Sequence, residues 1–143
     1  MQTQQLLIDG KWRDAYDGGT IPVINPNTGQ QYGTLARGSS RDIDRAVKAA
    51  RAAFHGSWGN MPALEKGRLL DRLGELVLKH EDELSHIEAN DVGKPLTQSR
   101  NDVRALARYC EFYAGAVDKV HGQTIPYQKG YTVLTLREPF GVT

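Results

Sequence analysis

Thiols are nearly absent from this chain. Its one cysteine, Cys110, excludes an internal disulfide and fits a reducing, cytoplasmic compartment. Excess charge is absent too, since 18 Lys and Arg stand against 17 Asp and Glu for a formal net charge of +1. That balance offers no electrostatic reason for nucleic acid or an anionic membrane to bind. No apolar run approaches the length of a membrane span. The first residues, Met1 to Gln5, are polar and lack the basic and apolar regions of a secretory signal. The 15 glycines never fall in the order G-x-G-x-x-G or G-x-x-x-x-G-K-[ST], so no phosphate cradle of the ordinary kind is present. His55, His80, His86 and His121 include no i, i+4 pair and no cysteine partner, which argues against a zinc site.

What is present suits one globular domain of 143 residues, with 39% hydrophobic and 24% charged side chains. Leu6-Leu7-Ile8 leads through Asp9-Gly10 into Lys11-Trp12-Arg13, a two-residue hairpin signal. Thr20 to Ile24 is β-branched except at Pro22 and predicts an edge strand. Asn25-Pro26-Asn27-Thr28-Gly29 is dense in turn formers, and Gln31 to Ala36 predicts a third strand. A helical block follows. Ser39 with Asp42 reads as a capping box, ahead of an apolar face of Ile43, Ala46, Val47, Ala50 and Phe54. Pro62 opens a second helix, with Leu69, Leu70, Leu73, Leu76 and Val77 as its expected apolar face. A third helix covers Glu81 to Asn90 and closes at Gly93. Pro95 starts a fourth, marked by Val103, Leu106, Cys110, Tyr113, Val117 and Val120 and ending near Gly122. Ile125 to Gln128 and Tyr131 to Arg137 flank Lys129-Gly130 as a late hairpin. Strands, four helices and a hairpin do not make the repeating alternation of a doubly wound sheet.

Few residues carry reactive chemistry. Cys110 lies mid-helix on an apolar stripe with Leu106 and Tyr113, whereas a nucleophilic thiol needs a setting that stabilises thiolate, so it reads as core. Glu81, Asp82 and Glu83 suit the positive end of a helix dipole. Lys66, Arg68, Arg72 and Lys79 read as a solvated helix face.

Four segments in order carry a family likeness: Ile8-Asp9-Gly10-x-Trp12, Ile24-Asn25-Pro26-x-Thr28-Gly29, Asp91-x-Gly93-Lys94-Pro95-Leu96, and Arg137-Glu138-Pro139-Phe140-Gly141-Val142. Together they resemble the front of the NAD(P)-dependent aldehyde dehydrogenases, and the resemblance runs from about Leu6 to Thr143. It implies an α/β family fold in which residues 1–122 are strands and helices packed around a cofactor-binding domain. Residues 123–143 would be a hairpin entering the bridging sheet through which subunits self-associate. It implies oxidation of an aldehyde substrate to a carboxylic acid with NAD or NADP. The family's nucleophile, base, oxyanion-hole and cofactor residues are then expected beyond Thr143, so no catalytic or cofactor-binding residue is assigned here. Carried over by motif, a monovalent cation would be held by main-chain oxygens of Val23 and Ile24 and by the Asp91 carboxylate, since hard cations prefer oxygen. Tyr109, Phe112 and Tyr113 stand either along an aldehyde tunnel or in the core. The alternative to an enzyme segment is a non-catalytic interaction protein whose hairpin edge pairs with an intact dehydrogenase subunit.

Overall fold

The computed structural model describes residues 3–143. In chain order the elements are β1 (Thr3–Gln4), β2 (Leu6–Ile8), β3 (Lys11–Arg13), β4 (Thr20–Ile24), β5 (Gln31–Ala36), α1 (Ser40–His55), α2 (Ser57–Asn60), α3 (Ala63–Lys79), α4 (Glu81–Val92), α5 (Leu96–Ala116), β6 (Thr124–Ile125) and β7 (Val133–Leu134). Four helices and small sheets are therefore present as expected. The one-turn α2 and the strand β1, which pairs in parallel with β5, were not foreseen.

The first hairpin forms as its turn chemistry requires. β2 and β3 pair antiparallel, with Leu7 opposite Trp12. Asp9 and Gly10 between them both take positive φ, 55° and 68°, which matches the twist of a two-residue hairpin turn. A second sheet has the order β1-β5-β4. Pro22 sits in its edge strand β4, opposite Thr34, where a missing N–H is tolerated.

Helix α1 starts on the predicted capping box. The Asp42 carboxylate accepts the Ser39 N–H at 2.9 Å and the Ser39 hydroxyl at 2.7 Å. It also accepts the Tyr16 N–H at 3.0 Å, tying the helix start to the segment after β3. These bonds, from Tyr16 first and then Ser39, hold the Asp42 carboxyl below its ordinary value.

The core is small and lies among α3, α4 and α5. Val77, Val103 and Ala107 form it, with Leu84 packed against them. α3 meets α5 through buried glycines seven positions apart. A β-carbon on Gly67 would lie 2.7 Å from the Ala114 carbonyl oxygen, and one on Gly74 would lie 3.2 Å from that of Ala107. The contact is thus nearly backbone against backbone. Ser85 and Ser99, both fully buried, return their hydroxyls to the Glu81 and Pro95 carbonyls.

Close packing on small residues corrects two expected faces. On α3, Val77 is buried and Leu70 half-buried, but Leu69, Leu73 and Leu76 are 44%, 48% and 47% exposed. On α5, Cys110 shares its buried stripe with Ser99, Val103 and Ala107, while Leu106 and Tyr113 lie exposed beside it. The period identified amphipathic helices, but side-chain volume decided which stripe could come close enough to pack. α5 also stops at Ala116 rather than near Gly122. Val120 is 69% exposed, so a further turn would gain no burial to offset the ordering of its backbone.

The late hairpin is shorter than expected. Only Thr124 with Leu134 and Ile125 with Val133 pair as strands. Hydrogen bonds from Thr135 N–H to Gln123 O and from Gln123 N–H to Thr135 Oγ1, both 2.9 Å, extend it by one step. Tyr127 and Tyr131 pack edge to face near its turn. Among the described residues no third strand joins this sheet. With strands this short, side chains on the hairpin have no face to bury.

The chain exposes 11323 Å² in all. A compact monomer of this mass would expose roughly 7,400 Å². The excess reflects an open arrangement in which helices and hairpin lack partners over much of their apolar surface.

Candidate functional site

Two of the motif turns meet in space. In the first, Asn25 Oδ1 accepts the N–H groups of Asn27 at 2.9 Å and Thr28 at 3.3 Å, and the Asn25 carbonyl accepts Gly29 N–H at 2.8 Å. Asn is suited to this because its short amide reaches backbone two residues on. In the second, Gly93 caps α4 in the left-handed region at φ 78° and donates its N–H to Ala89 O at 3.0 Å. A β-carbon on Gly93 would lie 2.7 Å from Cγ of Pro26. The proline ring of one turn therefore rests on the glycine of the other. Glycine is required here twice over, for its φ and for this approach.

Lys94 locks the second turn from behind. Its ammonium bonds Asp102 Oδ2 at 2.5 Å and also Glu88, which joins the end of α4 to the first half of α5. The hydrogen bond to Asp102, then that to Glu88, raises the Lys94 pKa above its ordinary value. Further along, Arg104 pairs with Glu81 at 2.8 Å and Arg100 with Asp82 at 3.2 Å. The acidic first turn of α4 is thus satisfied by the helix dipole and by α5, and the polar hollow that these residues line holds paired charges.

Beside the interlocked turns lies a cleft of about 690 Å³ between the β4–β5 sheet and α4. Gln4, Tyr32 and Thr34 line it with Val23 from the sheet side, and Glu83, Ile87 and Asp91 from the helix. Glu83, Ile87 and Asp91 recur every four residues, which aligns them along one face of α4. The structure thus brings Val23 and Asp91 to one cleft. Ile24 is the neighbouring residue, outside the cleft wall, and the β4–β5 register shifts between Val23 and Ile24. The residue skipped at this shift is Tyr32 of the central strand β5, while Val23 and Ile24 of β4 stay paired with Gly33 and Gln31. Carbonyl oxygens with one carboxylate fit a monovalent cation by donor type. Among the described residues no group of three His, Cys, Asp or Glu side chains is placed to hold a metal.

The other candidates separate from this site. Cys110 is 5% exposed, on the α5 stripe that meets Gly74. Tyr109, Phe112 and Tyr113 are 62%, 60% and 58% exposed, with Phe112 edge-on to Tyr113. Among the described residues Asp42 is the one buried carboxylate, and its three hydrogen bonds are structural. Its link to Tyr16, 26 positions away, could not be read from the capping pattern. Arg41 and Arg45 stack their guanidinium groups over the Tyr16 ring at 4.4 and 5.3 Å, and Arg41 also bonds the Tyr16 hydroxyl.

A model of the aldehyde dehydrogenase family matches residues 12–143. The chain belongs to this family. It is 47% identical over 140 residues to aldehyde dehydrogenase family 2 member B4, mitochondrial, of Arabidopsis thaliana, a match covering 96% of this chain and 26% of that protein. It is 42% identical over 141 residues to the human mitochondrial aldehyde dehydrogenase, 27% of which is covered. Among solved structures, a Burkholderia cenocepacia protein assigned by name to the aldehyde dehydrogenases aligns at 56% identity with a TM-score of 0.90, over 94% of this chain and 28% of that one. An aldehyde dehydrogenase of Bacillus cereus, solved as an NAD+ complex, aligns at 36% identity and a TM-score of 0.90, over 96% and 28%. The chain spans about a quarter of the length of the curated relatives it matches. The aldehyde dehydrogenase likeness therefore covers the interlocked turns, the helix block and the hairpin alike.

Proposed function

We propose that this chain serves as the N-terminal, non-catalytic portion of an oxidoreductase that converts an aldehyde to a carboxylic acid with NAD or NADP. The observation that carries this reading is the close structural match over nearly all of this chain and only 28% of the matched one. The residues present support a framework role. The single thiol is buried mid-helix, and no glycine-rich phosphate cradle occurs, so NAD(P) is assigned no contact in this chain.

Within that reading, residues 1–122 brace a cofactor-binding domain and residues 123–143 enter a bridging sheet through which subunits self-associate. The unpaired outer edges of β6 and β7 suit such pairing. A monovalent cation held by Val23 and Ile24 carbonyls and by Asp91 would fasten β4 to the end of α4. A cytoplasmic setting agrees with the lone cysteine.

The free hairpin edges also support a second reading, an interaction protein that pairs with intact dehydrogenase subunits. One measurement tests what the two readings share and another separates them. The purified 143-residue chain, given aldehydes with NAD+ or NADP+, is expected to form no reduced cofactor; turnover would overturn the non-catalytic assignment. The intact mass of the native polypeptide from its source is expected to be several times 15.9 kDa. A native mass equal to this chain would sink the enzyme-portion reading, and co-purification with a full-length dehydrogenase would then favour the second.

A further inference from the structure

We draw no further inference here: the strongest candidate, the exposed apolar flank of the α3–α5 pair at Leu69, Leu73, Leu76, Leu106, Tyr109 and Tyr113, is an unpartnered helix face and nothing in the structure shows what covers it.

Discussion

The corner between α4 and α5 and the late hairpin are both turns joining two elements, yet they are held in opposite ways. The corner has a left-handed glycine cap, a lysine bridging two carboxylates, two arginine bridges and a buried core behind it. The hairpin has two pairs of strand residues and an edge-to-face tyrosine contact, with Leu136 73% and Tyr131 68% exposed. Both turns close locally, the late one through Tyr131 N–H to Gln128 O at 3.1 Å, but only the corner has packed elements behind it. A hairpin of this size contributes little until another surface covers it.

The largest test of this contrast is at the α3–α5 contact. Gly67→Val would push a β-carbon to 2.7 Å from the Ala114 oxygen and 2.9 Å from Cγ1 of Val117. Urea unfolding should show a loss of about 1–3 kcal/mol, despite the better helix propensity of valine. Leu136→Ala in the hairpin should stay within about 0.5 kcal/mol. Equal losses would mean that the hairpin is as well anchored as the helices.

Gly93→Ala comes next. Alanine must hold φ 78° and displace the Pro26 ring. A loss of about 1–2 kcal/mol is expected, read by thermal unfolding. A cation fastened across the cleft would bind more weakly to this variant, seen as a smaller thermal shift on adding potassium or sodium.

Smaller and pH-dependent effects follow from Asp42 and Lys94. The Asp42 pKa lies below its ordinary 3.8 in the fold. Its stabilising effect is therefore complete above about pH 4 and fades as pH falls through the folded value. Asp42→Asn should flatten the acid limb of the stability curve. The Lys94 pKa lies above its ordinary 10.5, so its contribution persists below that value and is lost as pH rises through the folded one. Lys94→Gln should flatten the alkaline limb. Unchanged limbs in both variants would show that neither group links protonation to folding.

The smallest effect belongs to deletion of residues 122–143. The unfolding midpoint of the helix block should barely move, within about 0.5 kcal/mol. Hydrogen exchange of the intact chain should find the amides of β6 and β7 open long before those at Val103, Ala107 and Cys110. Equal protection would contradict the contrast between corner and hairpin.

The parts legible in the sequence are those where a few adjacent residues decide the geometry. Asp9-Gly10 predicted its turn, Ser39 with Asp42 its cap, and Gly93 its helix end, because each completes backbone hydrogen bonds within four residues. The packed faces were not legible in the same way. Leu106 and Val103 both satisfy a helical period, but only the stripe of Ser99, Val103, Ala107 and Cys110 is small enough for α3 to approach. β1 was missed because two residues pairing with a strand 31 positions away leave no local pattern. The candidate site came from resemblance alone. Val23 and Asp91 are far apart in sequence, and their segments meet where Pro26 and Asn27 approach Gly93.

That contact also sets an order of events in folding. Joining Pro26 to Gly93 closes a loop of more than sixty residues, at an entropic cost on the order of 4 kcal/mol. Helix formation from neighbouring residues takes about a microsecond, so α4 is expected to sample its helix and glycine cap before the proline turn docks. A cleft closed last by this contact predicts that Gly93→Ala accelerates unfolding and leaves the folding rate nearly unchanged, and a slowed folding rate would refute it.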